Sequence, residues 1–308
     1  MRSKLKAQNS APVGSMSIVE NEVKIAAIIL TMNEERDLPD CLLSLRGVAS
    51  EIYVVDSGST DSTCQIAQGF GANLLFHPFE NYSRQFNWAL DNISTKAEWI
   101  LRIDADERLQ PKLACELLQV IPDLHLDTTG IEIPRRIRFM GRELRFGDTY
   151  PVWLLRLWRS GAGRCEDRWM DEYIQLSKGC TVRVCGDLLH DIPKNVTEWT
   201  AKHNWYATRE CTDILLAKEN GTCEEAIGFR RQIKQSVYLR LPLFYRAFAY
   251  WVYRYVFKLG FLDGKAGLVY HFLQGFWYRF LVDTKLYESS ISAKTQLPTS
   301  NSDLRKKA

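Results

Sequence analysis

Between Lys24 and Asp106, short apolar runs alternate with stretches of helical period, and no other feature limits the fold of this chain as strongly. Residues 25–30 are apolar without a break, which suits a strand covered on both faces better than a half-exposed one. Leu38, Cys41, Leu42 and Leu45 follow at three- and four-residue spacing, the stripe of a helix that buries one side. Residues 52–55 read as a second buried strand. A helix over about 61–68 comes next, with Asp61 as its cap. A third strand is expected at 73–76, a helix at 84–92 and a fourth strand at 99–103. Strands joined through helices run parallel, so the expected class is α/β with a mostly parallel sheet flanked by helices.

Beyond about residue 128 the alternation breaks up. Strand-like pieces remain at 130–139, 153–158, 173–176 and 181–184, and from Thr197 the pattern is helical almost to Tyr287. The organisation expected is therefore a polar tail over 1–22, a catalytic domain over 23–195, a helical region over 196–287 and a second polar tail over 288–308.

In an open parallel sheet, ligands bind outside the carboxyl ends of the strands. Three of the expected strands end in polar clusters that would share that edge. They are Thr31-Met32-Asn33-Glu34-Glu35, Asp56-Ser57-Gly58-Ser59-Thr60-Asp61 and Asp104-Ala105-Asp106-Glu107. Asp104 and Asp106 are two apart, and in extended backbone that spacing sends both side chains to one side. Carboxylates so placed repel unless a cation joins them. Oxygen ligands of this kind suit Mg2+ or Mn2+, which also bridges to diphosphates. Read alone, the same residues could be favourable acids at a helix start. Asp56 has two readings as well, a turn residue or a carboxylate that accepts from a nucleobase.

Taken together, the three clusters resemble glycosyltransferase family 2, from about Lys24 to Asp106 and more loosely to about Asp191. The nearest likeness is to bacterial enzymes that build lipopolysaccharide core and other surface polysaccharides, including the β-glucosyltransferase-like branch. The resemblance implies a GT-A fold, a divalent cation and inversion at the anomeric carbon. It implies that Thr31, Asn33 and Glu34 line a nucleotide pocket and that Asp56 meets the base. Asp104 would lie near the ribose or sugar, and Asp106 would hold the metal. Arg84, just before Asn87-Trp88-Ala89-Leu90, matches a position where relatives carry a basic residue near the donor; a solvated helix charge fits equally. The donor implied is a nucleotide-sugar, with UDP-glucose as the first choice, and the acceptor a glycan or a lipid-linked one.

Inverting transfer needs a base that takes the acceptor's proton while the nucleoside diphosphate leaves. Asp171-Glu172, within Trp169-Met170-Asp171-Glu172-Tyr173, is the candidate pair, with Glu172 favoured by register and Glu166-Asp167 in reserve. His190 closes a strand-like stretch and is a candidate further metal or diphosphate ligand. Arg135, Arg136, Arg156 and Arg159 could hold diphosphate or form a solvated face.

Aromatic residues make up 12% of the chain and crowd into its last third, interleaved with Arg and Lys. Arg interrupts both apolar runs there, so neither should span a bilayer, whereas helices of this composition suit lying in an interface. The first 22 residues lack the 7–15-residue apolar stretch of a signal peptide. The eight cysteines form no CxxC pair, and read as buried thiols of a reducing compartment. The expected location is cytoplasmic, peripheral on the inner face of a bacterial cytoplasmic membrane. A net charge of +3 gives no case for nucleic acid. A nucleotidylyltransferase would need a Gly-rich basic loop after the first strand, where this chain is acidic. An inactive membrane-bound scaffold would have no need to keep both Asp104-x-Asp106 and Asp171-Glu172.

Overall fold

A computed structural model describes residues 23–166, 173–192, 195–219, 238 and 240–296. The first strand, β1 (Ile25–Thr31), is buried along nearly its whole length. It pairs in parallel with β2 (Glu51–Asp56) on one side and β4 (Trp99–Arg102) on the other. β3 (Asn73–Phe76) adds to β2, also in parallel. Its alternate residues serve two cores. Ile25, Ala27 and Ile29 pack with Leu38 and Leu42 of α1 (Leu38–Ser44) and with Leu45 just beyond it, whereas Ala26 and Ile28 pack with Phe86 and Ala89 of α3 (Tyr82–Asn92). A strand with apolar side chains on both faces can only sit inside such a sandwich of helices, which is why this run was continuous in the sequence.

The sheet then changes character. Its order is β3-β2-β1-β4-β8-β6-β12-β5, with β8 (Val152–Arg159) antiparallel to both β4 and β6 (Thr128–Phe139). β12 (Leu188–Asp191) runs parallel to β6 and antiparallel to the short β5 (Glu107–Leu109). The latter follows the Asp104 turn and leads into α4 (Pro111–Val120), which packs Leu113 and Leu117 under the sheet. β7 (Arg142–Leu144) and β11 (Cys180–Arg183) attach to β6. β9 (Gly163–Cys165) and β10 (Ile174–Leu176) form a separate ribbon.

The expected α/β class and strand positions hold, with local differences. The second helix, α2 (Thr63–Gly69), starts two residues later than Asp61. Asp61 nevertheless serves that terminus, accepting from Thr63 N at 3.0 Å. β5, α4, β7 and β9 were not anticipated; they are too short or too weakly patterned to announce themselves. Of the cysteines, Cys115, Cys180 and Cys185 are exposed rather than buried.

After β12 the chain is helical: α5 (Val196–Glu219), α6 (Tyr245–Val252), α7 (Gly264–Tyr270) and α8 (Tyr278–Gln296). The last helix runs past the expected boundary at residue 287. Single π-helical segments lie at Tyr253–Phe257 and His271–Trp277. This region is fastened to the sheet. The buried Asp263 carboxylate accepts from Arg145 N and Phe146 N at 3.1 and 3.0 Å. Arg254 Nε donates to Gly147 O at 2.7 Å. Trp199 of α5 and Tyr270 of α7 share an apolar cluster with Ile137 and Phe139 of β6. Asp283 of α8, fully buried, accepts from Arg246 of α6 and from Phe244 N.

His271 lies at the centre of this fastening. It is fully buried, and neither ring nitrogen has a hydrogen-bond partner among the described residues. Gly147 presses on it so closely that an added Cβ would stand 2.0 Å from His271 Cε1. Burial, with the Arg254 charge, pushes the imidazole down to about 4 from 6.5. The unfolded chain therefore binds the proton first, and stability falls as pH drops below about 6.5 towards 4. Between pH 7.5 and 5 this group alone should cost about 2 kcal/mol. Urea unfolding at the two pH values should show that loss in the wild type and a correspondingly smaller one in His271→Gln. An equal loss in both proteins would mean that His271 is not held neutral.

Candidate active site

Register places the first two polar clusters. Thr31 and Asp56 are partners at the ends of β1 and β2, and Thr31 Oγ1 donates to Asp56 Oδ2 at 3.0 Å. Asp56 Oδ1 accepts from Gly58 N at 2.9 Å and Ser59 N at 2.8 Å, and Oδ2 also accepts from Ser59 Oγ at 2.5 Å. Burial would raise this carboxyl, but the hydrogen bonds from Ser59, Gly58 and Thr31 outweigh it and hold it below the usual range. Those bonds fill about all the acceptor positions of a carboxylate. A base donor reaching Asp56 would have to displace one.

The two loops are stitched together further on. Asn33, at φ +56°, accepts from Thr60 N at 2.8 Å and its own N–H donates to Ser59 Oγ at 2.8 Å. Glu34 N donates to Thr63 Oγ1 at 2.8 Å, and Glu35 N to Asp61 Oδ2 at 3.1 Å. Asn is among the few side chains that tolerate the left-handed region, which explains its place at this bend.

The third cluster departs from expectation. β4 ends at Arg102, so Asp104 and Asp106 lie in a turn closed by Glu107 N donating to Asp104 O at 2.9 Å. In a turn the period of two no longer applies, and the two carboxylates go to different partners. Asp104 is clamped: Tyr82 OH donates to Oδ1 at 2.5 Å and Arg156 Nη2 to Oδ2 at 3.0 Å. Arg156 also donates to the fully buried Glu107 at 2.6 Å, and Arg102 Nε to Tyr82 OH at 3.1 Å. Burial opposes ionisation of Asp104, but the Arg156 and Arg102 charges prevail and hold its carboxyl well below the usual range.

Asp106 points the other way. Its Oδ1 lies 3.4 Å from His190 Nδ1 and its Oδ2 3.9 Å from Lys202 Nζ. Burial is outweighed by His190 and Lys202, and the carboxyl is held down at about 2. Glu34 stands near enough to feel this charge. Burial first, then Asp106, pushes its carboxyl up to about 7, with Lys202 pulling the other way.

Among the described residues, no group of three or more His, Cys, Asp or Glu side chains is arranged to hold a metal ion. Asp106 and His190 do offer one ionised oxygen and one nitrogen. His190 Nδ1 is buried without a hydrogen-bond partner among those residues. Two such donors fit Mg2+ or Mn2+, which commonly take the rest of their shell from water and phosphate oxygens.

The structure thus gathers Thr31, Asn33, Glu34, Asp56, Asp104, Asp106 and His190 along one edge of the sheet. Arg84, half-exposed on α3, pairs with Glu80 one turn earlier. Asp171 and Glu172 lie outside the described residues, as does Asp167; Glu166 accepts from Gln175 at 2.7 Å. Of the four arginines, Arg156 joins the cluster directly, and the Arg135 charge acts on Glu107. Arg136 pairs with Glu143 and Asp187, and Arg159 donates to Thr128 O at 3.0 Å over the Trp99 ring. Tyr82, Arg102 and Lys202 were not anticipated. Tyr82 opens the helix after β3, where a residue facing the same sheet edge could have been suspected; nothing local marks Lys202.

Residues 26–175 match the family described as Glycosyl transferase family 2. The chain is 33% identical over 193 residues to the lipopolysaccharide core biosynthesis glycosyltransferase LpsC of Rhizobium meliloti, covering 61% of this chain and 70% of that protein. It is 38% identical over 104 residues to an uncharacterized glycosyltransferase of Rickettsia bellii, and spans only 35% of its length. Among solved structures it resembles glucosyl-3-phosphoglycerate synthase from Mycobacterium tuberculosis, in complex with Mn2+ and UDP, at 22% identity and a TM-score of 0.31 over 37% of this chain and 44% of that one. It also resembles S. aureus TarS, at 15% identity and a TM-score of 0.38 over 60% of this chain and 39% of that one. The match across the sheet and its carboxyl edge, together with LpsC, identifies the chain as a glycosyltransferase belonging to glycosyl transferase family 2.

Proposed function

We propose that this glycosyltransferase works with inversion, moving a hexose such as glucose from a nucleotide-sugar, UDP-linked by preference, to a glycan or lipid-linked acceptor of the cell envelope. The observation that carries the reading is the division of labour at the Asp104 turn. Asp104 is immobilised by Tyr82 and Arg156, and Asp106 is left ionised with its Oδ1 3.4 Å from His190 Nδ1. The likeness to LpsC supports the envelope acceptor.

On this reading Asp106 and His190 hold Mg2+ or Mn2+, which supplies charge to the departing diphosphate. The stitched loops of Thr31, Asn33 and Glu34 line the nucleotide pocket, with Asp56 shaping its floor and meeting the base. Asp104 fixes the sugar side, and Arg84 borders the donor. A carboxylate of the Asp171-Glu172 pair takes the acceptor's proton as the bond from anomeric carbon to diphosphate breaks. The exposed aromatic tip of the helical region would rest on a membrane. Phe257, Phe261 and Leu262 are exposed there beside Lys258 and Lys265, a composition suited to an anionic interface. No helix among the described residues is long and apolar enough to cross one.

Three outcomes are expected. Calorimetry with UDP, ADP and GDP, with and without Mn2+, should find one nucleotide whose binding needs the metal. Asp106→Ala should weaken that binding at least ten-fold, ~1.4 kcal/mol; no metal-dependent binding of any of them would reject the reading. Glu172→Gln or Asp171→Asn should cut turnover by about a hundred-fold or more while sparing nucleotide affinity, and near-normal turnover in both would remove this pair as the base. Phe257→Ser with Phe261→Ser should release the protein from anionic vesicles at low salt, whereas undiminished co-sedimentation would place membrane contact elsewhere.

A further inference from the structure

The site described so far is assembled from the sheet and its loops, but one of its charges is not. Lys202 comes from the second turn of α5, outside the segment 26–175 that matches the family. Its ammonium stands 3.9 Å from Asp106 Oδ2, on the oxygen opposite the one that faces His190. The helix is held in that position from behind. Trp199 is buried against β6 and α7, Ala207 and Cys211 against α8, and Glu210 accepts from Tyr278 and Arg279 at 2.5 and 2.6 Å. Lys202 is one turn from Trp199, on the flank of this anchoring stripe, with Tyr206 beside it at 5.9 Å from ammonium to ring centre. Its side chain is 44% exposed, so the residue lies at the border of the site and is not sealed inside the protein.

Charge decides what that ligand is. Glu34, Asp104 and Asp106 crowd one edge, and the Arg156 guanidinium is already shared between Asp104 and Glu107. A divalent cation on an ionised Asp106 leaves a net of about one positive charge, less than a departing nucleoside diphosphate carries. It would also neutralise the partner that now holds Lys202. The ammonium would then be repelled by the cation and drawn to the phosphate oxygens, for which a lysine on a flexible stem is a suitable point charge.

We infer that Lys202, delivered by the C-terminal helical region, is a diphosphate-binding residue that shares the leaving group's charge with the metal. The inference rests on the donor reading above and adds a residue to it. The alternative role for the same contact is a structural ion pair with Asp106, and the two differ in what they predict.

The test uses the full chain and its Lys202→Met and Lys202→Arg variants. UDP affinity is measured by calorimetry in Mn2+, with ADP and GDP in parallel, uridine as the probe without phosphates, Mn2+ binding by electron paramagnetic resonance, and thermal unfolding. If the inference holds, Lys202→Met loses about ten- to a hundred-fold in affinity for whichever diphosphate the wild type binds, as expected for a charge-assisted contact. Uridine and Mn2+ binding and the unfolding temperature stay within error, and Lys202→Arg recovers most of the loss. Unchanged diphosphate affinity in Lys202→Met, or a lowered unfolding temperature alone, overturns the inference and leaves the donor site standing. Failure of the wild type to bind any of the three diphosphates with Mn2+ overturns both.

Discussion

One buried guanidinium sets the geometry on which this site depends. Arg156 is 4% exposed and holds Asp104 and Glu107 together across the turn that ends β4. It can do so because β8 runs antiparallel beside β4. The register pairs Leu157 with Leu101, which brings the preceding residue to the carboxyl end of β4, where the chain leaves the sheet. Such a group is held by necessity: leaving a buried charge without its partner costs about 3–5 kcal/mol. Arg102 adds a second layer by lying over the Tyr82 ring, 4.3 Å from its centre, and bonding its hydroxyl. Asp104 therefore has one position. Asp106, two residues on, has only the longer contacts to His190 and Lys202, and in the function proposed above it is the carboxylate that takes the ligand.

The parallel half of the sheet was legible because burial on both faces leaves an unbroken apolar signature, and because the polar residues that end each strand must then share an edge. Thr31 and Asp56 were expected near one another and proved to be register partners. The Asp104 turn was misjudged for a definite reason. A spacing of two places side chains together only while the backbone is extended, and β4 ends before Asp104 is reached. Composition could show that two carboxylates were close, but the two cations that separate their roles come from Arg156 and Lys202, about fifty and a hundred residues downstream, and depend on long-range pairing.

The helices were legible as helices but not in their contacts. Helical period tells which residues share a face, so Trp199, Ala207 and Cys211 could be grouped, but not what that face meets. The fastening of this region to the β7 end through Asp263, Arg254 and His271 was invisible for the same reason. Those bonds, and the apolar cluster of Ile137, Phe139, Trp199 and Tyr270, join residues on the two sides of the expected division at residue 195.

That continuity links the two proposals made for the helical region. The exposed segment at Phe257 and Phe261 and the anchored helix carrying Lys202 belong to a helical region joined by ion pairs and shared apolar clusters. Arg246 with Asp283 ties α6 to α8, and Glu210 with Arg279 ties α8 to α5. The Arg246–Asp283 pair is buried on both sides and resists relative sliding, since any displacement would leave a charge uncompensated in an apolar setting. If the tip rests on a bilayer, the orientation of α5, and with it the edge of the sheet where Asp106 meets Lys202, is then fixed relative to the lipid surface. A lipid-linked acceptor would meet the donor edge at a defined height and angle without any domain having to move.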